Sequence, residues 1–228
     1  MSLAARWPYL LALLLGYLYI ALIPFKPYPL GWLLKPLPML LFAWLVWRDY
    51  PGAAGRWLGL GFVAAAAGDF FLDYGNRDGL FVQALLAFLL NQLAFVAGFL
   101  LLGRGRPWRW WWSLPVIAYA IGMTLWMLPG AGALQVPVAL YFACLLAMAL
   151  TAARVEERPG PLWLGAMLFV IADSLIGVNK FIQPFPHAVL VIVSCYFTGQ
   201  ALIAWGLLQL RGAAAIVATS PAVAGRSD

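Results

Sequence analysis

Apolar residues run along this chain in long, nearly unbroken stretches, and polar residues collect in short clusters between them. Eight stretches stand out, near Trp7–Leu22, Leu33–Trp47, Trp57–Asp73, Leu80–Leu102, Trp110–Leu128, Val136–Ala153, Leu162–Val178 and Ala188–Leu210. They are too long and too continuously apolar for the in-out alternation of barrel strands, so each predicts a helix. Only helices and closed barrels satisfy their own backbone inside lipid. The pattern therefore predicts an all-α membrane protein of about eight transmembrane helices. Several runs fall short of the roughly 20 residues of a full crossing, so the helices are expected to reach into the loops. Trp57, Trp110, Trp111 and Trp112 stand at run ends, where an interfacial aromatic belt sits.

Composition agrees. Of 228 residues 65% are hydrophobic and 10% charged, against roughly a quarter charged in a soluble domain. The first run has only Arg6 before it and no A-x-A site after it, so it reads as a retained helix rather than a signal peptide. Residues 1–211 read as one eight-helix domain, and 212–228 as a disordered, small and polar tail. Arg6, Arg48, Arg56, Arg104, Arg106, Arg109, Arg154, Arg158, Arg211 and Arg226 fall on one side; Lys26, Lys35, Arg77 and Lys180 fall on the other. The positive-inside rule then places both termini in the cytoplasm, with a bacterial inner membrane as the expected location. This bias accounts for most of the net charge of +6, which calls for no nucleic-acid partner. Cys144 and Cys195 lie inside apolar runs and indicate neither a disulfide framework nor a metal site.

The two halves echo each other. Gly61 precedes Asp69 by the same interval as Gly165 precedes Asp173. Asn91-Gln92 is followed by LAFVAGFLL and Gly199-Gln200 by ALIAWGLL, while Pro36 and Pro137 each open the second helix of a half. Four helices per half would give a parallel 4+4 repeat about an axis along the membrane normal, with Asp69 and Asp173 as equivalent positions.

A carboxylate within a span is costly unless paired, neutralised or hydrated, so it marks function by default. Asp69 and Asp73 are four residues apart on one helix face, and Asp173 lies inside the seventh run. All three are expected in the non-cytoplasmic half, with Lys35, Tyr141, Tyr196 and Gln200 at similar depth. Gln92 lies deeper, roughly 15–18 Å from its helix start. Plainer roles exist for several: interfacial carboxylate for Asp73, headgroup snorkelling for Lys35, packing for the tyrosines and interhelical bonding for the glutamines. His187 is the lone histidine and no G-x-S-x-G occurs, which excludes a serine–histidine hydrolase and a zinc hydrolase. No glycine-rich phosphate loop is present, and no metal or cofactor is expected. What remains is a carboxylate pair in a tyrosine-lined cavity, one protonated as acid and one ionised as base. Proton-coupled transport uses similar parts.

Five segments carry a family resemblance: KPLPML at Lys35–Leu40, AAAAGDFFL at Ala64–Leu72, VPVALY at Val136–Tyr141, LGAMLFVIADSLIGVNKF at Leu164–Phe181 and CYFTGQALIAWG at Cys195–Gly206. Together they resemble the lysoplasmalogenase family, the YhhN-type integral membrane hydrolases. The resemblance implies eight helices and cleavage of the vinyl ether of a lysophospholipid, the lysoplasmalogen, to a fatty aldehyde and a glycerophospho-headgroup. It implies Asp69 and Asp173 as the catalytic pair. The polar residues placed near them, Lys35, Asp73, Gln92, Tyr141, Asn179, Tyr196 and Gln200, are the candidate substrate-binding residues on their own chemistry. Lys35 is then a phosphate contact, and the tyrosines and Gln200 orient water or glycerol hydroxyls. One departure stands out. The family pattern F-x-x-x-H-x-x-Y in the fourth span reads here as Phe88, Gln92 and Phe95, and Gln92 hydrogen-bonds without titrating. Hydrolysis of another lysolipid or ether lipid and proton-coupled transport are the alternatives.

Overall fold

The computed structural model describes residues 3–74, 79–108, 110–156 and 160–219. Arg77, Arg109, Arg158, Arg226 and the tail beyond 219 lie outside the described residues, as does the side chain of Trp110. The described regular elements are all helical: α1 (Leu3–Leu22), α2 (Gly31–Leu34), α3 (Leu37–Asp49), α4 (Ala53–Tyr74), α5 (Phe81–Leu102), α6 (Trp110–Met127), α7 (Gln135–Val155), α8 (Pro161–Gly177) and α9 (Ala188–Thr219). Short helical turns at Ile23–Phe25 and Leu128–Leu134 and a π-turn at Val178–Ile182 follow α1, α6 and α8.

Proline and glycine set the boundaries. Pro36 and Pro38 start α3, and Pro161 opens α8, positions where the missing N–H is no loss. Gly52 turns the chain from α3 into α4 at φ 109°, and Gly132 breaks the path from α6 to α7 at φ 52°, both conformations that favour glycine. At the other end α9 runs past Gly212, where the sequence predicts a disordered tail; Ala213, Ala214 and Ala215 are strong helix formers and carry it to Thr219.

Five helical stretches are long and apolar enough to cross a membrane: Arg6–Phe25, Phe81–Leu102, Trp111–Val155, Pro161–Ile182 and Ala188–Arg211. The third is 45 residues long and contains both α6 and α7. The bundle is inverted relative to a soluble protein. Leu14, Leu90 and Leu125 are at least 60% exposed, whereas Asp69, Gln92 and Gln200 are wholly buried.

Two helix pairs, α4 with α5 and α8 with α9, pack most extensively, and small residues let them do so. A Cβ on Gly98 would stand 2.5 Å from Leu58 of α4, and one on Gly206 would stand 2.6 Å from the Leu162 backbone nitrogen of α8. Asn91 donates from Nδ2 to the Gly61 carbonyl at 2.8 Å, and a Cβ on Gly165 would lie 2.5 Å from the Gly199 carbonyl. The close approaches thus fall at corresponding positions in the two pairs: Leu58–Gly98 with Leu162–Gly206, and Gly61–Asn91 with Gly165–Gly199. Gly165→Val drives a branched side chain into backbone and is expected to cost at least about 1–3 kcal/mol, read as loss of monodisperse protein after detergent extraction. Gly122→Ala, on an exposed face with nothing within 4 Å, is the neutral control.

An aromatic column fills the centre of the first half: Phe42–Phe62, Phe62–Phe95 and Phe95–Phe99 have centroids 5.6, 5.0 and 5.5 Å apart. The arginine-rich end is latched by polar contacts. Asp49 pairs with Arg48 at 2.9 Å and with Arg211, and Glu156 accepts from the backbone N–H groups of Gly160, Leu162 and Trp163 to cap α8. The remaining buried carboxylates gather toward the other end of the bundle.

Candidate active site

Asp69 lies on the inner face of α4, wholly buried. Its Oδ2 accepts from the Tyr196 hydroxyl of α9 at 2.7 Å, and its Oδ1 stands 3.2 Å from Lys35 Nζ. Lys35 occupies the joint between α2 and α3 with its side chain only 6% exposed. It is turned inward to Asp69 rather than out to the headgroups, because an ammonium and a carboxylate buried together offset each other's desolvation.

Asp173, on α8, is also buried, but its company differs. Oδ2 accepts from the Tyr141 hydroxyl of α7 at 2.5 Å and from Gln92 Nε2 of α5 at 3.3 Å. Both donors are neutral. Between the aspartates stands an aromatic frame, with Tyr196 edge-on to Phe88 at 5.8 Å and to Phe169 at 5.7 Å. The helices serve each other crosswise: α9 supplies the donor to Asp69 on α4, and α5 supplies one to Asp173 on α8.

One turn beyond Asp69, Asp73 accepts from Lys26 Nζ at 2.6 Å and from the Tyr19 hydroxyl at 2.8 Å. Lys26 also donates to the Tyr19 hydroxyl at 2.7 Å. Neither Tyr19 nor Lys26 is a site candidate from the sequence, although Lys26 follows the first apolar run on the side assigned to Asp73. Asn179 spends its Oδ1 on the Phe185 N–H at 3.3 Å, holding the segment after the π-turn. Gln200 lies one turn past Tyr196 on α9 and is fully buried, with neither end of its amide hydrogen-bonded among the described residues.

Two neighbouring cavities that share lining residues meet this cluster. A vestibule of about 410 Å³ is lined by Tyr19, Lys35, Asp73, Asn179 and Lys180 among others. A smaller slot of about 40 Å³ is lined by Phe88, Tyr141, Phe142 and Asp173 among others. Leu72, Phe81 and Ile176 border both. The vestibule falls within the 300–1,000 Å³ range typical of ligand sites. The π-turn at Val178–Ile182 forms part of its wall, and such irregular turns concentrate at functional sites.

The profile of the YhhN family matches residues 30–207. The chain belongs to the YhhN family. Similar proteins include lysoplasmalogenase TMEM86B of Sus scrofa, 31% identical over 188 residues that cover 81% of this chain and 78% of that protein. Lysoplasmalogenase of Mycobacterium bovis is 32% identical over 162 residues, 68% of this chain and 61% of its own. Lysoplasmalogenase TMEM86B of Homo sapiens is 31% identical over 180 residues, 78% and 75%. No solved structure matches the chain. The YhhN stretch contains both aspartates, both tyrosines bonded to them and Lys35, whereas Tyr19 and Lys26 precede it. In this YhhN chain Gln92 is bonded to Asp173, and Phe95 belongs to the aromatic column, packed against Gly61.

Proposed function

We propose that the protein hydrolyses the vinyl-ether bond of lysoplasmalogens, releasing a fatty aldehyde and a glycerophospho-headgroup, with Asp173 as the proton donor. One observation carries the chemistry: Asp173 is a buried carboxyl whose partners are neutral, set on the wall of an apolar slot beside a larger cavity lined by Lys35 and Lys180. The relatives named lysoplasmalogenases support the substrate.

An uncompensated carboxylate in a low-dielectric core is costly, so Asp173 rests protonated, whereas Asp69 rests ionised against Lys35. Tyr141 and Gln92 both donate to Oδ2, which leaves Oδ1 to carry the proton. The alkenyl chain lies in the slot and the glycerol in the vestibule. Asp173 gives its proton to the alkene carbon distal to the ether oxygen, forming an oxocarbenium ion beside the new carboxylate. That carboxylate stabilises the cation and accepts a proton from the water that adds to it. The hemiacetal then collapses: its hydroxyl proton passes to the glycerol oxygen as the C–O bond breaks, leaving aldehyde and alcohol. Asp69 acts as a positioning residue that holds Lys35 and Tyr196 in place. Tyr141→Phe removes the 2.5 Å bond to Asp173 and is expected to lower kcat about tenfold to a hundredfold with a smaller change in KM, measured by aldehyde release.

The same reading extends to topology. At 1.5 Å per residue the 45-residue stretch is about 67 Å long, roughly twice the hydrocarbon core, so α6 and α7 cross separately on either side of Gly132. With α3 and α4 added, eight helices cross and both termini are cytoplasmic in a bacterial inner membrane. The corresponding glycine contacts and the crosswise bonding support a duplicated 4+4 ancestry. The test is purified protein with lysoplasmalogen in detergent. Free aldehyde is the expected result; none, together with substrate flux in vesicles, means a transporter. A panel of vinyl-ether, alkyl-ether and acyl lysolipids separates the lysoplasmalogen from other lysolipid substrates.

A further inference from the structure

Gln92 and Gln200 are wholly buried and carry amide atoms with no hydrogen-bond partner among the described residues: Oε1 of Gln92, and both Oε1 and Nε2 of Gln200. Their positions are related. α5 packs antiparallel on α4, with Gly98 against Leu58 and Gly68 against Phe88. α4 starts just after α3 ends at Asp49, which pairs with Arg211 near the end of α9. α5 and α9 therefore run in the same direction. Phe88 and Tyr196 meet edge-on at 5.8 Å, and each is followed four residues later by a glutamine, which sets the two amides at one level of the bundle. Buried amide atoms are satisfied by protein or by ordered water, and a buried water takes about three such partners.

Resting on the hydrolase reading above, we propose that Gln92 is the positioning residue for the attacking water. The nitrogen and oxygen of one amide are about 2.2 Å apart, so with Nε2 3.3 Å from Asp173 Oδ2, Gln92 Oε1 lies within about 5.5 Å of that carboxyl oxygen. Two hydrogen bonds of about 2.8 Å span that distance through one water. After proton transfer the water donates one hydrogen to Gln92 Oε1 and the other to the Asp173 carboxylate, which leaves an oxygen lone pair for the oxocarbenium carbon. Gln200 adds a donor and an acceptor at the same level. The choice made there is chemical, because a lysoplasmalogen has a free hydroxyl on the second glycerol carbon. Where that oxygen attacks the cation, a cyclic acetal of the dioxolane type closes, the hydroxyl proton returns to Asp173, and the product is an isomer of the substrate. Where water attacks, a C–O bond forms to its oxygen, its proton goes to Asp173, and the hemiacetal collapses to aldehyde and alcohol. A held water thus selects hydrolysis over isomerisation.

The test follows both products of a 1-alkenylglycerophosphocholine, free aldehyde and cyclic acetal, by proton NMR with the full chain in detergent. The wild type gives aldehyde in excess. Gln92→Leu lowers the aldehyde-to-acetal ratio about tenfold, the worth of one hydrogen bond, and Gln92→Asn, whose amide is one methylene short, lowers it less. Both products issue from one cation, so their ratio is set after proton transfer, and a loss of packing that merely slows turnover leaves it alone. An unchanged ratio in Gln92→Leu overturns the proposal. A crystal structure of the wild type at a resolution that shows ordered water gives a reading independent of activity and of how the variants fold. Water within hydrogen-bond distance of both Gln92 Oε1 and the Asp173 carboxyl is the expected result, and Gln92 Oε1 bonded to protein alone overturns the proposal. Water at that place in a wild type that forms neither product removes the hydrolase reading and the water's part in attack, and leaves Gln92 holding a structural water.

Discussion

Replacing Asp173 by Asn abolishes aldehyde release, lowering kcat by at least about a thousandfold, while the protein still extracts as a folded monodisperse species. The amide nearly matches the carboxyl in shape and keeps an oxygen for the Tyr141 and Gln92 donors, so packing in the slot is retained. What disappears is the transferable proton and the carboxylate it would leave behind. General acid catalysis alone is worth about 10²–10⁴, and the lost electrostatic stabilisation of the oxocarbenium ion adds to it. Binding of a saturated ether lipid by the variant separates loss of chemistry from loss of substrate. Full kcat in a purified Asp173→Asn protein removes the residue from the mechanism.

Asp69→Asn has an equally large effect by a different route. It strips the charge from a wholly buried partner of Lys35 and leaves the ammonium, itself 6% exposed, unpaired. Removing one member of a buried ion pair costs about 3–5 kcal/mol, so thermal unfolding in detergent moves to markedly lower temperature and activity falls with it. The double variant Asp69→Asn/Lys35→Met is expected to recover much of the stability, because no charge is then left buried alone. Its activity stays low, since Lys35 no longer lines the vestibule. Recovery of full activity in the double variant would mean that the pair is structural only.

Much of this fold is written in hydrophobicity alone. Lipid forces backbone satisfaction within each segment, so long apolar runs identify the helices and their proline-marked starts, including Pro36 before α3 and Pro161 in α8. Carboxylates inside apolar runs are few enough for Asp69 and Asp173 to be singled out by position, and both are buried in the bundle. Partner choice is not. Whether Tyr196 serves Asp69 or Asp173 depends on helix rotation and on which glycines allow close approach, and a single sequence does not encode that openly. Lys35 illustrates the point: its place at a helix start fits a snorkelling cation, yet the joint at Pro36 directs it to Asp69. Tyr19 escapes notice because nothing charged lies beside it in the first apolar run; only folding brings Asp73 to it.

The departure at Gln92 has a local rationale. An amide there donates to Asp173 without competing for its proton, which leaves Asp173 as the carboxyl on the slot wall among the described residues. Lys35, which lines the vestibule, is paired with Asp69.

The claim on which this account turns is that the resting protein stores a proton on Asp173 and none on Asp69. Infrared spectroscopy of the membrane-embedded protein reads it directly through the carbonyl stretch of a protonated carboxyl. The account predicts such a band in the wild type that vanishes in Asp173→Asn and persists in the double variant Asp69→Asn/Lys35→Met. A band that survives Asp173→Asn unchanged, or is lost only when Asp69 is replaced, contradicts it.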